Sequence, residues 1–202
     1  LGTSTILGGS YSGRVYDTTH PRQQRWRGGV QRQLGPNMVV EAAYTGSYTT
    51  GVGLAISDNY VPEQYWASGN VRNNTIATNL NSNVTNPFYI GNFTSLKTSN
   101  PQLYTDLSTK GFFTSKTIRK YQLLYQFPQL TGVTNTRPLG EVKTHSLELT
   151  AERRFAAGFN FYAGYTYLDV RTKDYVPDPW VQDPLWRHSN NGRPHRFVAS
   201  TV

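Results

Sequence analysis

The stretch Arg25-Trp26-Arg27-Gly28-Gly29-Val30-Gln31-Arg32-Gln33-Leu34-Gly35-Pro36-Asn37-Met38-Val39-Val40-Glu41-Ala42-Ala43-Tyr44-Thr45-Gly46-Ser47-Tyr48 decides the fold. Even positions Trp26, Gly28, Val30, Arg32 and Leu34 are mostly apolar, while Arg25, Arg27, Gly29, Gln31 and Gln33 between them are polar or glycine. Gly35-Pro36-Asn37 interrupts the pattern as a turn, and Met38, Val40, Ala42, Tyr44 and Tyr48 resume it on one face. Period two on both sides of a short connection predicts a β-hairpin, because successive strand side chains point to opposite faces.

The unit recurs. Leu147, Leu149, Ala151 and Phe155 alternate with Ser146, Glu148, Thr150, Glu152 and Arg154. Ala156-Ala157-Gly158 makes the turn, and Phe159, Phe161, Ala163, Tyr165 and Tyr167 form the return face. Superposing the turns brings Arg32 onto Arg153, Leu34 onto Phe155 and Tyr44-Thr45 onto Tyr165-Thr166. The segment Leu147–Phe155 also has good helix propensity, but as a helix it would point Leu149 away and leave Phe159–Tyr167 without a partner. Strand is the preferred reading.

Composition agrees. The 202 residues include 14 Tyr, 9 Phe and 4 Trp but only 37% hydrophobic residues, as expected of β structure with wet loops. The absence of cysteine excludes disulfides and thiolate metal sites. The net charge of +8 admits nucleic acid or anionic membrane as partner. Scattered basic residues without a nucleic-acid-binding motif argue against the former. No run of 18 apolar residues supports a transmembrane helix, but barrel strands need only about 9–11 alternating residues.

Five strands are predicted, at 25–34, 38–48, 142–155, 159–169 and 195–202, with a sixth candidate near 10–16. Short turns alternate with long connections at 49–140 and 170–194, as in an up-and-down outer-membrane barrel. Within 49–140 a short strand is expected near Thr117–Tyr125. The fold class expected is all-β: antiparallel strands forming part of a large transmembrane barrel with long extracellular loops. Trp26, Tyr44, Tyr48, Phe155, Phe159, Phe161 and Tyr165 are the candidate membrane-interface aromatics. Arg32 and Arg153 fall on the lipid face. An arginine there costs about 2–4 kcal/mol at mid-bilayer but only about 0–1 near the interface, where their position beside the turns puts them.

Bacterial barrels have at least about 8 strands, so residues 1–202 are expected to be one section of a barrel, with partners in the rest of that barrel and in outer-membrane lipid. The chain opens at Leu1 without a signal peptide and stops inside a strand, as a section would. The runner-up is a soluble or secreted β-rich adhesin or carbohydrate-binding module, with the apolar faces forming a sandwich core.

Several runs carry a family resemblance. They are Pro21–Trp26, Val30–Gly35, Val40–Ser47, Asn86-Pro87-Phe88, Tyr125–Val133, Glu152–Phe155 with Gly158, and Arg193–Ser200. In this order they resemble the barrel of TonB-dependent receptors of the Oar-like type, which carry an N-terminal carboxypeptidase-regulatory-like domain. The resemblance implies a barrel of about 22 strands in the outer membrane, plugged by a separate domain, energised by the TonB system and importing a nutrient. The plug, the TonB box and the regulatory-like domain have no counterpart here, and Leu1–Thr19 matches nothing in the family.

Enzymatic chemistry is not expected. His20, His145, His188 and His195 lack metal-ligand spacing, and no nucleophile elbow, P-loop or dinucleotide fingerprint occurs. Asp169, Asp174, Asp178 and Asp183 cluster near Trp180 and Trp186, but without EF-hand order they read as a solvated loop. No metal, cofactor or catalytic residue is assigned. Asn73, Asn83 and Asn92 stand in glycosylation sequons that carry no weight in a bacterial protein.

Overall fold

The computed structural model describes residues 6–16, 19–66, 71–156, 158–178, 183–190 and 192–202. The chain divides into two compact units, one of Leu1–Val15, Ala55–Thr136 and Asp178–Trp180, the other of Tyr16–Leu54, Arg137–Pro177 and Val181–Val202.

The second unit is an antiparallel meander. Strand β2 (Arg22–Leu34) pairs with β3 (Met38–Ser57), from Arg22 opposite Thr50 down to Leu34 opposite Met38. Next in the sheet come β6 (Gly132–Ala156) and β7 (Phe159–Tyr175), paired from Glu141 opposite Lys173 to Ala156 opposite Phe159, with a bulge between Arg153 and Ala156. Two short strands share the far side of β7. Strand β8 (Leu185–His188) pairs with its upper part and β9 (His195–Thr201) with Phe161–Tyr167. Backbone bonds bracket the break between them: Ser189 N donates to Val170 O at 2.9 Å, and Leu168 N to Pro194 O at 2.8 Å. Both tight turns hold a glycine in the left-handed region, Gly35 (φ 74°) and Gly158 (φ 77°), where a side chain would be strained.

The strands outrun their sequence-based limits. Strand β2 begins three residues early, β3 continues to Ser57 and β6 starts at Gly132, so the connection expected at 49–140 shrinks to 58–131. Likewise β7 reaches Tyr175 and β8 occupies part of the loop expected at 170–194. Alternation of apolar and polar residues marks a strand only while one of its faces is dry. In the β6 extension Gly132–Glu141 neither parity is consistently apolar, and the period disappears from the sequence although the ladder continues. In β3 the period persists through Val52, Leu54 and Ile56, a signal that sequence reasoning passed over.

The first unit builds its own core. Ile90, Leu107 and Phe113 are buried, with Phe88, Leu103 and Phe112 packed around them. Its helices are short: α1 (Asn74–Leu80), α2 (Leu96–Ser99), α3 (Pro101–Ser108), α4 (Gly111–Thr114) and α5 (Lys120–Leu123). Asn73 caps α1, its side chain accepting from Ile76 N, and Asn100 caps α3 in the same way from Leu103 N. The strand expected near Thr117–Tyr125 is a three-residue piece, β5 (Thr117–Arg119), paired with β4 (Asn83–Thr85); the chain then turns into α5. Buried Asn86 ties the unit together: its Nδ2 donates to Phe112 O and Ser115 O at 2.8 Å, and its Oδ1 accepts from Phe88 N at 2.9 Å. The sixth candidate strand is β1 (Ser10–Arg14), but it pairs in parallel with Gly132–Thr136 and is not an up-and-down neighbour.

Buried hydrophobic residues divide unequally. Among the described residues Ile56, Ile90, Leu107, Phe113, Ile118, Leu130 and Val133 belong to the first unit, and Ala43 alone to the sheet unit. One face of the sheet nonetheless carries a sheet-wide apolar surface, with Val30 at 74% and Phe197 at 69% exposure. Of its glycines, Gly46 is covered by a ring and Gly28 is open. A Cβ built on Gly46 would fall inside the Trp26 indole, while one on Gly28 would meet nothing within 4 Å. Aromatic cover of strand glycines adds packing where glycine alone offers none. Gly46→Ala is therefore expected to displace the indole and destabilise the barrel by about 1–3 kcal/mol, whereas Gly28→Ala leaves it unchanged or slightly stabilised. Urea titrations of the full-length protein, read by heat-modifiable gel migration, check this; equal midpoints for both variants would contradict it.

Candidate functional site

The functional surfaces are the two faces of the sheet. Cross-strand register sorts the side chains without ambiguity. Opposed pairs Val30–Ala42, Arg32–Val40 and Leu34–Met38 define one face of β2 and β3, and Leu147–Tyr167, Leu149–Tyr165, Ala151–Ala163 and Arg153–Phe161 the same kind of face on β6 and β7. Strand β9 continues it with Phe197 opposite Tyr165 and His195 opposite Tyr167. An exposed apolar surface of this breadth marks contact with another apolar phase.

The opposite face is polar. Arg25, Arg27, Gln31 and Gln33 lie across from Ser47, Thr45, Glu41 and Val39, and Glu148, Thr150 and Glu152 across from Thr166, Gly164 and Tyr162. Arg27 joins two strands on this face, its Nη2 lying 3.4 Å from Glu41 Oε1 and 3.9 Å from Glu148 Oε2. Both pairs are exposed, so each is worth about 0–1 kcal/mol and fixes side-chain position more than stability. A trough of ≈ 730 Å³ runs along this face, lined among others by Arg25, Arg27, Thr45, Ser146 and Glu148.

The aromatics singled out from sequence form two levels. At the tight-turn end Phe159 stacks on Phe161, ring centroids 5.8 Å apart, and the Arg153 guanidinium sits 5.2 Å from the Phe159 centroid. The outward arginine thus meets a ring face at the end of the apolar band. The Phe155 side chain lies outside the described residues. At the other end Trp26 covers Gly46, and the Tyr44 hydroxyl lies 2.5 Å from His145 Nδ1. The Tyr165 hydroxyl lies 2.7 Å from His195 Nδ1, and the Tyr167 ring packs 5.2 Å from the His195 ring. Tyr48 stands higher, its hydroxyl donating to Glu141 Oε2. Sequence reasoning missed His145, Tyr167 and His195 as girdle members. Their strand parity, shared with Leu147, Tyr165 and Phe197, was the available signal.

The aspartates of the 169–183 region do not converge. Asp169 pairs with Arg171 at 3.0 Å and His188 at 3.2 Å, Asp183 with Lys173 at 2.9 Å, and Asp174 with Arg187 at 2.7 Å. No group of His, Cys, Asp and Glu suited to hold a metal ion occurs among the described residues. Trp180 lies outside them.

In the first unit, a cleft of ≈ 340 Å³ is lined by Tyr60, Val61, Ala77, Leu80, Tyr121 and Tyr125, with Asn59 and Asn81. Asn59 is fully engaged, donating to Phe127 O and Leu130 O and accepting from Phe127 N, so the cleft presents mainly rings and aliphatic surface. Burial pushes the Tyr125 hydroxyl above its ordinary pKa.

The chain belongs to the outer membrane beta barrel domain family, whose model matches residues 2–202. It resides in the bacterial outer membrane, and its strands are barrel strands, which sets aside the soluble sandwich. Among solved structures the chain is similar to the crystal structure of the outer membrane transporter YddB from Escherichia coli. Identity is 12%, the TM-score is 0.40, and the match covers 83% of this chain and 14% of that one. No curated protein matches the chain.

The polar end of β7 gives a pH prediction. Arg187 donates from Nε and Nη2 to both Asp174 oxygens, at 2.7 and 3.0 Å, and this hydrogen bonding, assisted by Thr172, holds the Asp174 carboxyl below the usual carboxylate range. A depressed native pKa stabilises above the unfolded value and is lost as pH falls through the native one. Protection of the Leu185–His188 amides against hydrogen exchange, corrected for intrinsic rates, is therefore expected to fall below about pH 4. Asp174→Asn is expected to show the weaker protection already at neutral pH. Acid-insensitive protection would contradict this.

Proposed function

We propose that the chain is part of the wall of a TonB-dependent outer-membrane receptor that imports a nutrient, and that it performs no catalysis itself. The observation that carries this reading is the polar face of the sheet, with Arg25, Arg27, Glu41, Glu148 and Arg196 on one side of strands whose other side is apolar. Small barrels fill their interior with packed side chains, whereas a charged interior suits the wide, water-filled or plugged lumen of larger ones. The resemblance of Pro21–Trp26, Val30–Gly35 and Arg193–Ser200 to Oar-like receptors supports the choice among large barrels. The segment 58–131 connects the ends of β3 and β6 that are not joined by tight turns, and long connections of this kind are extracellular in such barrels. Its tyrosine cleft falls within the about 300–1,000 Å³ usual for small-ligand pockets.

In this role the strands supply a rigid, lipid-sealed wall. A plug domain elsewhere in the protein blocks the lumen, and the TonB system supplies the energy that moves it. Comparing which medium components are depleted by wild-type cells, by cells lacking the gene and by cells lacking TonB tests the reading. One class of compound is expected to disappear only in the wild type. Depletion that survives loss of TonB would exclude energised import, and depletion that survives loss of the gene would exclude import by this protein.

A further inference from the structure

On the lipid-facing side, three basic residues stand in one row across three adjacent strands. Lys143 on β6 is opposite Arg171 on β7, and Arg171 is opposite His188 on β8. Lys143 and Arg171 are like charges directly opposed across strands, an arrangement that destabilises a sheet, so the pair calls for an anion. One carboxylate answers it in part: Asp169, a row below, takes Arg171 Nε at 3.0 Å and His188 Nδ1 at 3.2 Å. No carboxylate among the described residues lies within salt-bridge distance of Lys143. Its ammonium is instead flanked by rings, 4.4 Å from the Trp186 centroid and 5.2 Å from that of Tyr48, which fix its level without neutralising it. The row above is self-compensated, Lys173 lying 3.5 Å from Glu141 and 2.9 Å from Asp183. At this end of the strands the uncompensated charge is thus confined to one level.

That level is the headgroup layer. From Phe159 to Asp169 the outward face of β7 spans a length that, at about 3.3 Å per residue and about 40° of tilt, gives roughly 25 Å, the height of a barrel's apolar band. Arg171 stands one outward-facing position further, about 5 Å beyond it on the same geometry. The tight turns lie at the opposite end, so this level meets the outer leaflet. We infer that Lys143, Arg171 and His188 bind the phosphate groups of a glycolipid of that leaflet on the barrel's outer surface. Neighbouring strands are about 4.8 Å apart, which lets an ammonium and a guanidinium grip one phosphate from adjacent positions. Arg171 and His188 remain open to it, with side chains 53% and 75% exposed.

The test uses the purified full-length protein in detergent and counts bound lipid by native mass spectrometry. The probes are bis-phosphorylated lipid A, the same lipid after enzymatic dephosphorylation, and inorganic phosphate. Unaltered protein is expected to retain the phosphorylated lipid about tenfold better than the dephosphorylated one. Millimolar inorganic phosphate is expected not to displace it. Lys143→Ala with Arg171→Ala is expected to abolish the preference and Lys143→Arg to keep it. Equal retention of both lipids by unaltered protein would overturn the inference without relying on any variant. An unchanged preference in the double variant would overturn the assignment to this row, and displacement by inorganic phosphate would make it a free-anion site.

Discussion

Hydrocarbon cannot hydrogen-bond a peptide group, and the rest of this structure depends on that. Each unsatisfied N–H or C=O in the bilayer costs several kcal/mol, so a strand can enter only if both its edges are paired. The meander β2-β3-β6-β7 followed by β8 and β9 meets the condition internally. Its outer edges, β2 on one side and β8 with β9 on the other, are exposed along their whole length. A sheet of this kind is a section of wall that is complete once other barrel strands cover both edges. The same constraint explains the tight turns: Gly35 and Gly158 reverse the chain in few residues and keep unpaired backbone out of the apolar layer.

With the backbone satisfied, side-chain parity assigns each residue its solvent. The apolar parity faces lipid and needs no partner within the chain, which is why the sheet unit contributes only Ala43 to the buried hydrophobic residues described. Tyr44 with His145 and Tyr165 with His195 place polar atoms of aromatic groups at the upper margin, and Arg153 over Phe159 marks the lower one. At the upper end, charges on the same parity begin with Asp169, level with His145, and continue with Arg171. The opposite parity faces the polar barrel interior and tolerates Arg27, Glu41 and Glu148 within the band.

Legibility in the sequence follows the same physics. Hairpins 25–48 and 142–169 could be read because one face of each must be apolar, and the turn glycines anchored them. Of the outer extensions, Gly132–Glu141 on β6 could not, since neither face there is held to one polarity, whereas Val52, Leu54 and Ile56 on β3 keep period two and the strand was legible to Ser57. The fold of 58–131 was invisible for another reason. It rests on buried amides such as Asn86 and Asn59 bonding to distant backbone atoms, and a list of asparagines looks like loop composition. The row Lys143–Arg171–His188 needs two registers at once, and its members are far apart in sequence.

The central claim is that alternate residues of these strands face lipid and lumen. The chain has no cysteine, so single cysteines introduced into the full-length protein can each carry a spin label without interference. In a bilayer, labels at Val30 and Leu149 are expected to collide with dissolved oxygen and not with an aqueous nickel chelate. Labels at Gln31 and Thr150 are expected to show the reverse. Chelate access at all four positions, or no alternation between neighbours, would contradict the account.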